Sequence, residues 1–438
     1  MYSLRFKTFI FRAKKYFICL KFLAVLPLLI GFSDCSGSGN STNINSSRNF
    51  YFASKPSREN LRYRLNDTIV HKTFSHKIVT QYGQAFWALG LLNEKNTAAS
   101  ARVNEILLNP REYSNDMLRA ALEYVYQCYP VEYENEIAAL VIGQSDSKLF
   151  AMAAEYLLRI NKQKFSPLIY NIIRNENQFP VDDPIIKALE ISDSTKRLGQ
   201  IPPLKDLLSH PFSGLPVIFS LQRENRNFPG VLIVRNANGK ILRTEDGSIF
   251  NIPQLARSVS ALPGYITNGN TPQGVFSFLK IERTTNPFIG PTELLLLSLP
   301  FEYPVEIFFH DKQTDSDFSI SMYLGLFPET WQNYPGILEV YYAGKAGRNE
   351  ILAHGTTIDP QYYQNLDCYP FTPSLGCLTT LELWDDNGNL CYSDQEKLIQ
   401  LLKKNNISQG YFVIINIDNK NQPVILTDII EHIIQSGI

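Results

Sequence analysis

Thr372-Pro373-Ser374-Leu375-Gly376-Cys377-Leu378-Thr379 and, upstream of it, Ala353-His354-Gly355-Thr356 are the two stretches on which the reading of this chain turns. A cysteine in a glycine-containing turn, with a histidine on a preceding strand-like stretch, is what a thiol nucleophile requires. The imidazole takes the thiol proton or holds a thiolate–imidazolium pair. Gly376 lets the backbone bend, and amide N–H groups beside Cys377 can face a developing oxyanion. Cys377 is therefore the candidate nucleophile and His354 the candidate general base and acid.

Around these stretches the pattern is that of strands. Pro216–Leu221, Gly230–Val234, Gly274–Ile281, Val305–Phe309, Ile337–Tyr341 and Tyr411–Ile417 are short apolar runs, and Asn236–Lys240 is a turn between two of them. Ser393-Asp394-Gln395-Glu396 is a capping box that opens a helix running to about Lys404, and a last amphipathic helix is expected over Thr427–Ile434. Asp385-Asp386-Asn387-Gly388-Asn389 resembles a cation loop but lacks the closing glutamate, so it reads as a solvated hairpin turn.

Upstream of Pro202-Pro203 and His210-Pro211 the period changes to helical. Leu118, Ala121, Leu122 and Val125 fall at helix spacing, as do Leu149, Met152, Ala153, Tyr156 and Leu157. Ser114 and Asp146 are placed as N-caps, and Pro130 and Pro180 as stops. Ala121, Glu123 and Tyr124 recur 32 residues later as Ala153, Glu155 and Tyr156. Short helices at that period suggest a small stack similar to HEAT-type repeats, either a plain helical domain without a binding role or a docking surface for a protein or for cell wall. Cys128 falls on the apolar face and reads as a small buried hydrophobe.

The first 35 residues read as an export signal. Arg5, Lys7, Arg12, Lys14, Lys15 and Lys21 precede the apolar run Phe22–Phe32, which is short for a membrane span. Cys35 follows after Ser33 and Asp34, before a Ser/Asn/Gly tether, as in a bacterial lipoprotein signal. Its thiol would carry the lipid, and Ser36 after it leans toward the outer membrane. The expected organisation is a signal at 1–35, a flexible linker at 36–58, a helical-repeat-like domain at 59–205, a β-rich domain at 213–422 and a C-terminal helix at 423–438: an α+β multidomain protein.

The 438 residues suit two or three domains. An apolar fraction of 44% excludes wholesale disorder, and a net charge of -1 argues against a nucleic-acid surface. Six cysteines are too few for a disulfide scaffold. Cys368 and Cys391 flank Cys377; a bridge so close to a reactive thiol invites exchange, so two buried thiols is the default expectation. Tyr362, Tyr363 and Tyr369, between the two motifs, either line a substrate channel or pack the loop down.

Three ordered motifs carry a resemblance to the L,D-transpeptidase (YkuD-type) catalytic domain. They are Thr271-Pro272-Gln273-Gly274-Val275-Phe276, then His354-Gly355, then Ser374-x-Gly376-Cys377. Leu375 departs from the family's usual histidine, and Thr379 from its Arg or Asn. The resemblance implies that Cys377 is acylated by a peptidoglycan stem tetrapeptide with release of D-alanine. The acyl group then passes to an amine of a second stem, giving 3→3 cross-links; with water as acceptor the activity is that of an L,D-carboxypeptidase. It implies that Ser374 holds the turn or orients His354, that Gly376 shapes an oxyanion hole, and that Gly355, Thr356, Thr379 and Tyr369 meet substrate. It implies neither cofactor nor metal. Thr271–Gly274 is expected to shape the cleft floor without direct chemistry. The implied partners are stem peptides, the membrane through the N-terminal lipid in the periplasm, and a possible protein on the helical half. A sortase would need an arginine after the cysteine, and none follows Cys377; papain-like and NlpC/P60 peptidases place cysteine before histidine. A catalytically inactive wall-binding lipoprotein is the remaining alternative.

Overall fold

Four strands make the centre of the molecule: β1 (Val217–Arg223) and β2 (Gly230–Arg235), buried throughout, β10 (Gly410–Asp418), buried over its first seven residues, and β4 (Gly274–Glu282), buried over its first five. Near-continuous Val, Ile, Leu and Phe is the composition of a strand covered on both sides. The computed structural model describes residues 49–174, 178–198, 200–311 and 317–437, so the expected signal and Cys35 lie outside the described residues. Adding β3 (Asn251–Gln254), β5 (Leu294–Ser298), β6 (Ile351–His354) and β7 (Leu378–Thr379) gives an eight-stranded mixed sheet in the order β3-β2-β1-β10-β4-β5-β6-β7.

The two edges of this sheet meet. Leu255, one residue past β3, forms an antiparallel bridge with Thr379 of β7, with N–H···O bonds of 2.8 and 2.9 Å in the two directions. Ser258 pairs alongside Ser374. The closure removes both exposed edges there and places the end of β6, the start of β7 and the 255–274 segment around one point. A separate hairpin, β8 (Glu382–Trp384) and β9 (Leu390–Ser393), follows. Its turn is the expected Asp385–Asn389 stretch, whose Asp385 carboxylate accepts from the N–H groups of Asn387 (2.9 Å) and Asn389 (2.8 Å).

Two expected strands are helical instead. Val305–Phe308 is a helical turn started by Pro304, and Ile337–Tyr341 divides between a 3-10 turn, Pro335–Leu338, and the helix Glu339–Lys345. Both apolar runs follow a proline and carry a glutamate in the first helical turn, which favours a helix start. The last helix begins later than expected, at Ile430–Ser436, after a 3-10 turn at Leu426–Asp428. The capping box holds: Ser393 Oγ accepts from Glu396 N–H at 2.8 Å, and the helix runs Asp394–Lys404.

In the helical half the helix Tyr82–Leu92 packs on Asn115–Cys128, and Glu134–Ile142 packs on the helix that begins at Ser147. Helices start at Tyr82, Asn115 and Ser147, the spacing of the internal sequence match. Ser114 and Asp146 cap as expected, accepting from Met117 N–H (3.3 Å) and Leu149 N–H (3.0 Å). The matched tyrosines do the same work in each copy. Tyr124 Oη accepts from Asn96 N–H and donates to Glu94 C=O, both at 3.1 Å. Tyr156 Oη accepts from Tyr133 N–H (3.1 Å) and donates to Tyr129 C=O (2.5 Å). Each hydroxyl satisfies the polar backbone of the loop one hairpin earlier. Tyr156→Phe is therefore expected to cost about 1–2 kcal/mol in urea unfolding. Tyr124→Phe should cost less, because Asn96 N–H keeps the Tyr129 hydroxyl at 3.1 Å.

The matched glutamates face the sheet half. Glu123 accepts from Asn268 Nδ2 (3.2 Å) and Glu155 from Tyr265 Oη (2.8 Å). Arg119 adds a bond to Thr267 C=O, and Tyr363 Oη reaches back to Leu91 C=O. The segment Arg48–Ile438 is one compact unit. Among the described residues no helix is long and apolar enough to cross a membrane.

Candidate functional site

β6 and β7 run parallel, with Ala353 opposite Leu378 and His354 opposite Thr379. Cys377 immediately precedes β7, so the thiol and the imidazole stand on neighbouring strand ends, two residues apart in register. Cys377 is partly exposed; His354 is buried, at 4%. Cys377 Sγ lies 3.3 Å from Leu352 N and 3.6 Å from Glu350 O. The imidazole Nδ1 contacts the carbonyl oxygen of Gly355. A carbonyl can only accept, so Nδ1 carries the proton and Nε2 is the basic nitrogen. Among the described residues no hydrogen bond joins the ring to the thiol.

Burial keeps both groups neutral. It pushes the thiol up to about 11, opposed by the Leu352 N–H and the Arg348 guanidinium. It pushes the imidazole down to about 4, opposed by its bond to Gly355. Desolvation thus favours thiol and free imidazole over the thiolate–imidazolium pair.

The nucleophile turn is held from three sides. Ser374 Oγ donates to Cys377 C=O (2.8 Å) and accepts from Gly376 N–H (3.2 Å). Ser374 thus holds the turn, and no bond from it reaches His354. Thr271 Oγ1 donates to Gly376 C=O at 3.0 Å, which gives the upstream motif its structural part. Arg348, only 3% exposed, donates to the carbonyls of Gly269 (2.7 Å), Asn270 (2.8 Å), Gly264 and, at 3.4 Å, Gly376. Gly376 sits at φ +116°, and a Cβ there would come within 2.3 Å of Arg348 Nη2 and 2.6 Å of Gly269 O. Its role is to pass through this crowded position. Its own N–H is spent on Ser374, which leaves the Cys377 N–H, free of hydrogen bonds to the described residues, as the amide open to an oxyanion.

Other residues expected to meet substrate lie beneath the surface. Thr356 is 6% exposed, and its Oγ1 accepts from Thr372 Oγ1 and Ile358 N–H, both at 3.1 Å. Thr379 is 1% exposed and donates to Thr372 C=O at 2.8 Å. Gly355 is closed over by Glu382, whose carboxylate oxygen would lie 2.2 Å from a Cβ there. Tyr369 is exposed, and its Oη accepts from Gln361 Nε2. Cys368 is buried against Leu255 and Phe371, whereas Cys391 is exposed on the β8–β9 hairpin, so the expectation of two buried thiols is corrected for Cys391; both are free. Cys128 is buried as expected, its thiol pushed up to about 12 by desolvation.

Three residues beside the motifs escape sequence reasoning. Arg348 is one. Glu302 is another: it accepts from Glu350 N–H at 2.9 Å and so holds the residue whose carbonyl touches Sγ. Glu382 is the third. It is 4% exposed, accepts from Thr356 N–H (3.0 Å) and Ser393 Oγ (2.8 Å), and is pushed up to about 7 by burial against those bonds. Between pH 4.5 and about 7 the folded chain keeps a proton on Glu382 that the unfolded chain has released. This group's contribution to stability therefore falls as pH rises through that window. Glu382→Gln should gain stability relative to wild type between pH 5 and pH 8, read from urea midpoints at the two values. Parallel pH curves for the two proteins would contradict it.

No protein-family model, curated protein or solved structure matches the chain.

Proposed function

We propose that this chain is a cysteine-dependent acyltransferase of the L,D-transpeptidase class acting on peptidoglycan stem peptides. On this reading the sheet half is a YkuD-like catalytic domain, and the helical half is a HEAT-like stack that docks a partner or the wall. The observation that carries the reading is the half-buried Cys377. It sits on a turn clamped by Ser374, Thr271 and Arg348, one strand away from a buried imidazole whose Nδ1 is occupied and whose Nε2 is free to take a proton.

Acylation follows from a neutral pair. Sγ turns from Leu352 N–H toward the ring and attacks the carbonyl of the third-residue diamino acid, while its proton passes to His354 Nε2. The Cys377 N–H stabilises the oxyanion. As the C–N bond to the terminal D-alanine breaks, the imidazolium returns that proton to the leaving amine. The thioester is then attacked by the side-chain amine of a second stem, His354 accepting the amine's proton, and the thiol is restored. Storing the acyl group as a thioester removes the need for ATP, which an exported enzyme lacks. We place the protein in the periplasm, lipid-anchored through Cys35 at the outer membrane.

The competing reading, a wall-binding lipoprotein without turnover, is favoured by the missing bond between His354 and Cys377. Incubation with a disaccharide-tetrapeptide separates the readings. 3→3 dimers are the expected product, tripeptide alone would indicate an L,D-carboxypeptidase, and unchanged tetrapeptide would support the inactive protein.

A further inference from the structure

The ring of His354 is fixed by a carbonyl that is itself held from outside the motif. Nδ1 meets Gly355 C=O, and the next residue, Thr356, is gripped at both ends of its backbone. Its N–H donates to Glu382 Oε2 at 3.0 Å, and its C=O accepts from Trp384 Nε1 at 2.9 Å. Both partners belong to β8, where residues two apart share a face. Leu383, between them, turns the other way and is exposed. The Glu382 carboxylate also lies against Gly355, where a Cβ would fall 2.1 to 2.4 Å from its three atoms.

This grip is supported from behind. Ser393 Oγ donates to the second carboxylate oxygen of Glu382 at 2.8 Å while it caps the helix Asp394–Lys404. The Trp384 ring lies 6.4 Å from that of Phe50. The hairpin turn is tied to the same N-terminal stretch, Phe50 N–H to Gly388 C=O at 2.7 Å and Asn49 Nδ2 to Asn387 C=O at 2.8 Å. A buried carboxyl group is costly to desolvate. Among the described residues no cation pairs with Glu382, and its backbone bond goes to the loop beside the ring.

We propose that Glu382 and Trp384 are positioning residues for the base. By holding Thr356 at its N–H and its C=O they keep the Gly355 carbonyl on Nδ1, so that the proton stays there and Nε2 stays free. An imidazole released from that carbonyl exchanges its proton between the two nitrogens, and the Nε2–H form cannot take a proton from a thiol. The effect on rate rests on the acyl-transfer reading of Cys377; the effect on the ring does not.

NMR of the full chain with nitrogen-labelled histidine reads the tautomer directly. The chain has six histidines, and the signal lost in His354→Gln assigns His354. Burial pulls the imidazole down to about 4, so the ring is neutral at pH 7 and its tautomer can be read there. Wild type should show a protonated Nδ1 and a bare Nε2. Glu382→Ala and Trp384→Phe should each shift the ring toward a mixture of tautomers. Each should also slow carbapenem acylation of Cys377 by about ten- to a hundredfold in its limiting rate, with the half-saturating concentration within about twofold of wild type. Glu382→Gln keeps an oxygen that accepts from Thr356 N–H, and should recover the wild-type tautomer and most of the rate. Trp384 is only partly buried, so Trp384→Phe carries the test if Glu382→Ala does not fold. An Nε2–H tautomer in wild type, or an unchanged tautomer in either variant once folded, would overturn the proposal. So would a shifted tautomer with acylation at the wild-type rate. If wild type itself is not acylated while the variants still shift the ring, the acyl-transfer reading fails and the hold on the ring stands.

Discussion

Alanine at His354 is expected to slow acylation of Cys377 by about a thousandfold at pH 7, the scale of a lost general base. The thiol is pushed up to about 11, so without a base only a minute thiolate fraction remains at neutral pH. The pH profile distinguishes a base from a merely structural histidine. In wild type the reactive form is the neutral pair, so the rate should hold level through neutrality and fall only as pH drops toward the imidazole's value of about 4. In His354→Ala the rate should instead climb about tenfold per pH unit toward the thiol's own value. A wild-type profile that climbs in the same way would show that His354 takes no proton.

Methionine at Arg348 should damage both fold and site. The guanidinium supplies donors to the carbonyls of Gly264, Gly269, Asn270 and Gly376. Methionine fills most of the volume and supplies none, leaving buried carbonyls unpaired at a cost of about 3–5 kcal/mol. The same change frees Gly376 C=O from one of its two clamps, the other being Thr271, and takes a positive charge from beside the thiol. Urea unfolding should show the loss. At temperatures where the variant is still folded, acylation of Cys377 should be slower than in wild type. A variant that unfolds earlier but is acylated at the wild-type rate would reduce Arg348 to a packing residue.

The parts legible in the sequence were those whose chemistry is local. Ser374, Gly376 and Cys377 lie within four residues, and Ser393 caps the helix it begins, so spacing alone identifies them. The Tyr124/Tyr156 match was visible because a helical hairpin repeats the same loop and needs the same hydroxyl. Arg348 was not visible. Its partners lie 28 to 84 residues away in the chain, and nothing near it marks a buried cation. Glu382 was hidden for the same reason: its closeness to Gly355 exists only once the β8–β9 hairpin folds over β6. Val305–Phe308 and Glu339–Lys345 were misread because a short apolar run has the same appearance as a buried strand or a buried helical turn. The prolines before them were the available signal.

The central claim is that Cys377 Sγ is a nucleophile toward an acyl donor. Intact-mass measurement after incubation with a carbapenem tests it most directly. A single covalent adduct should form on wild type, more slowly on His354→Ala, and not at all on Cys377→Ala. No adduct on folded wild type, or an adduct that persists in Cys377→Ala, would contradict the account.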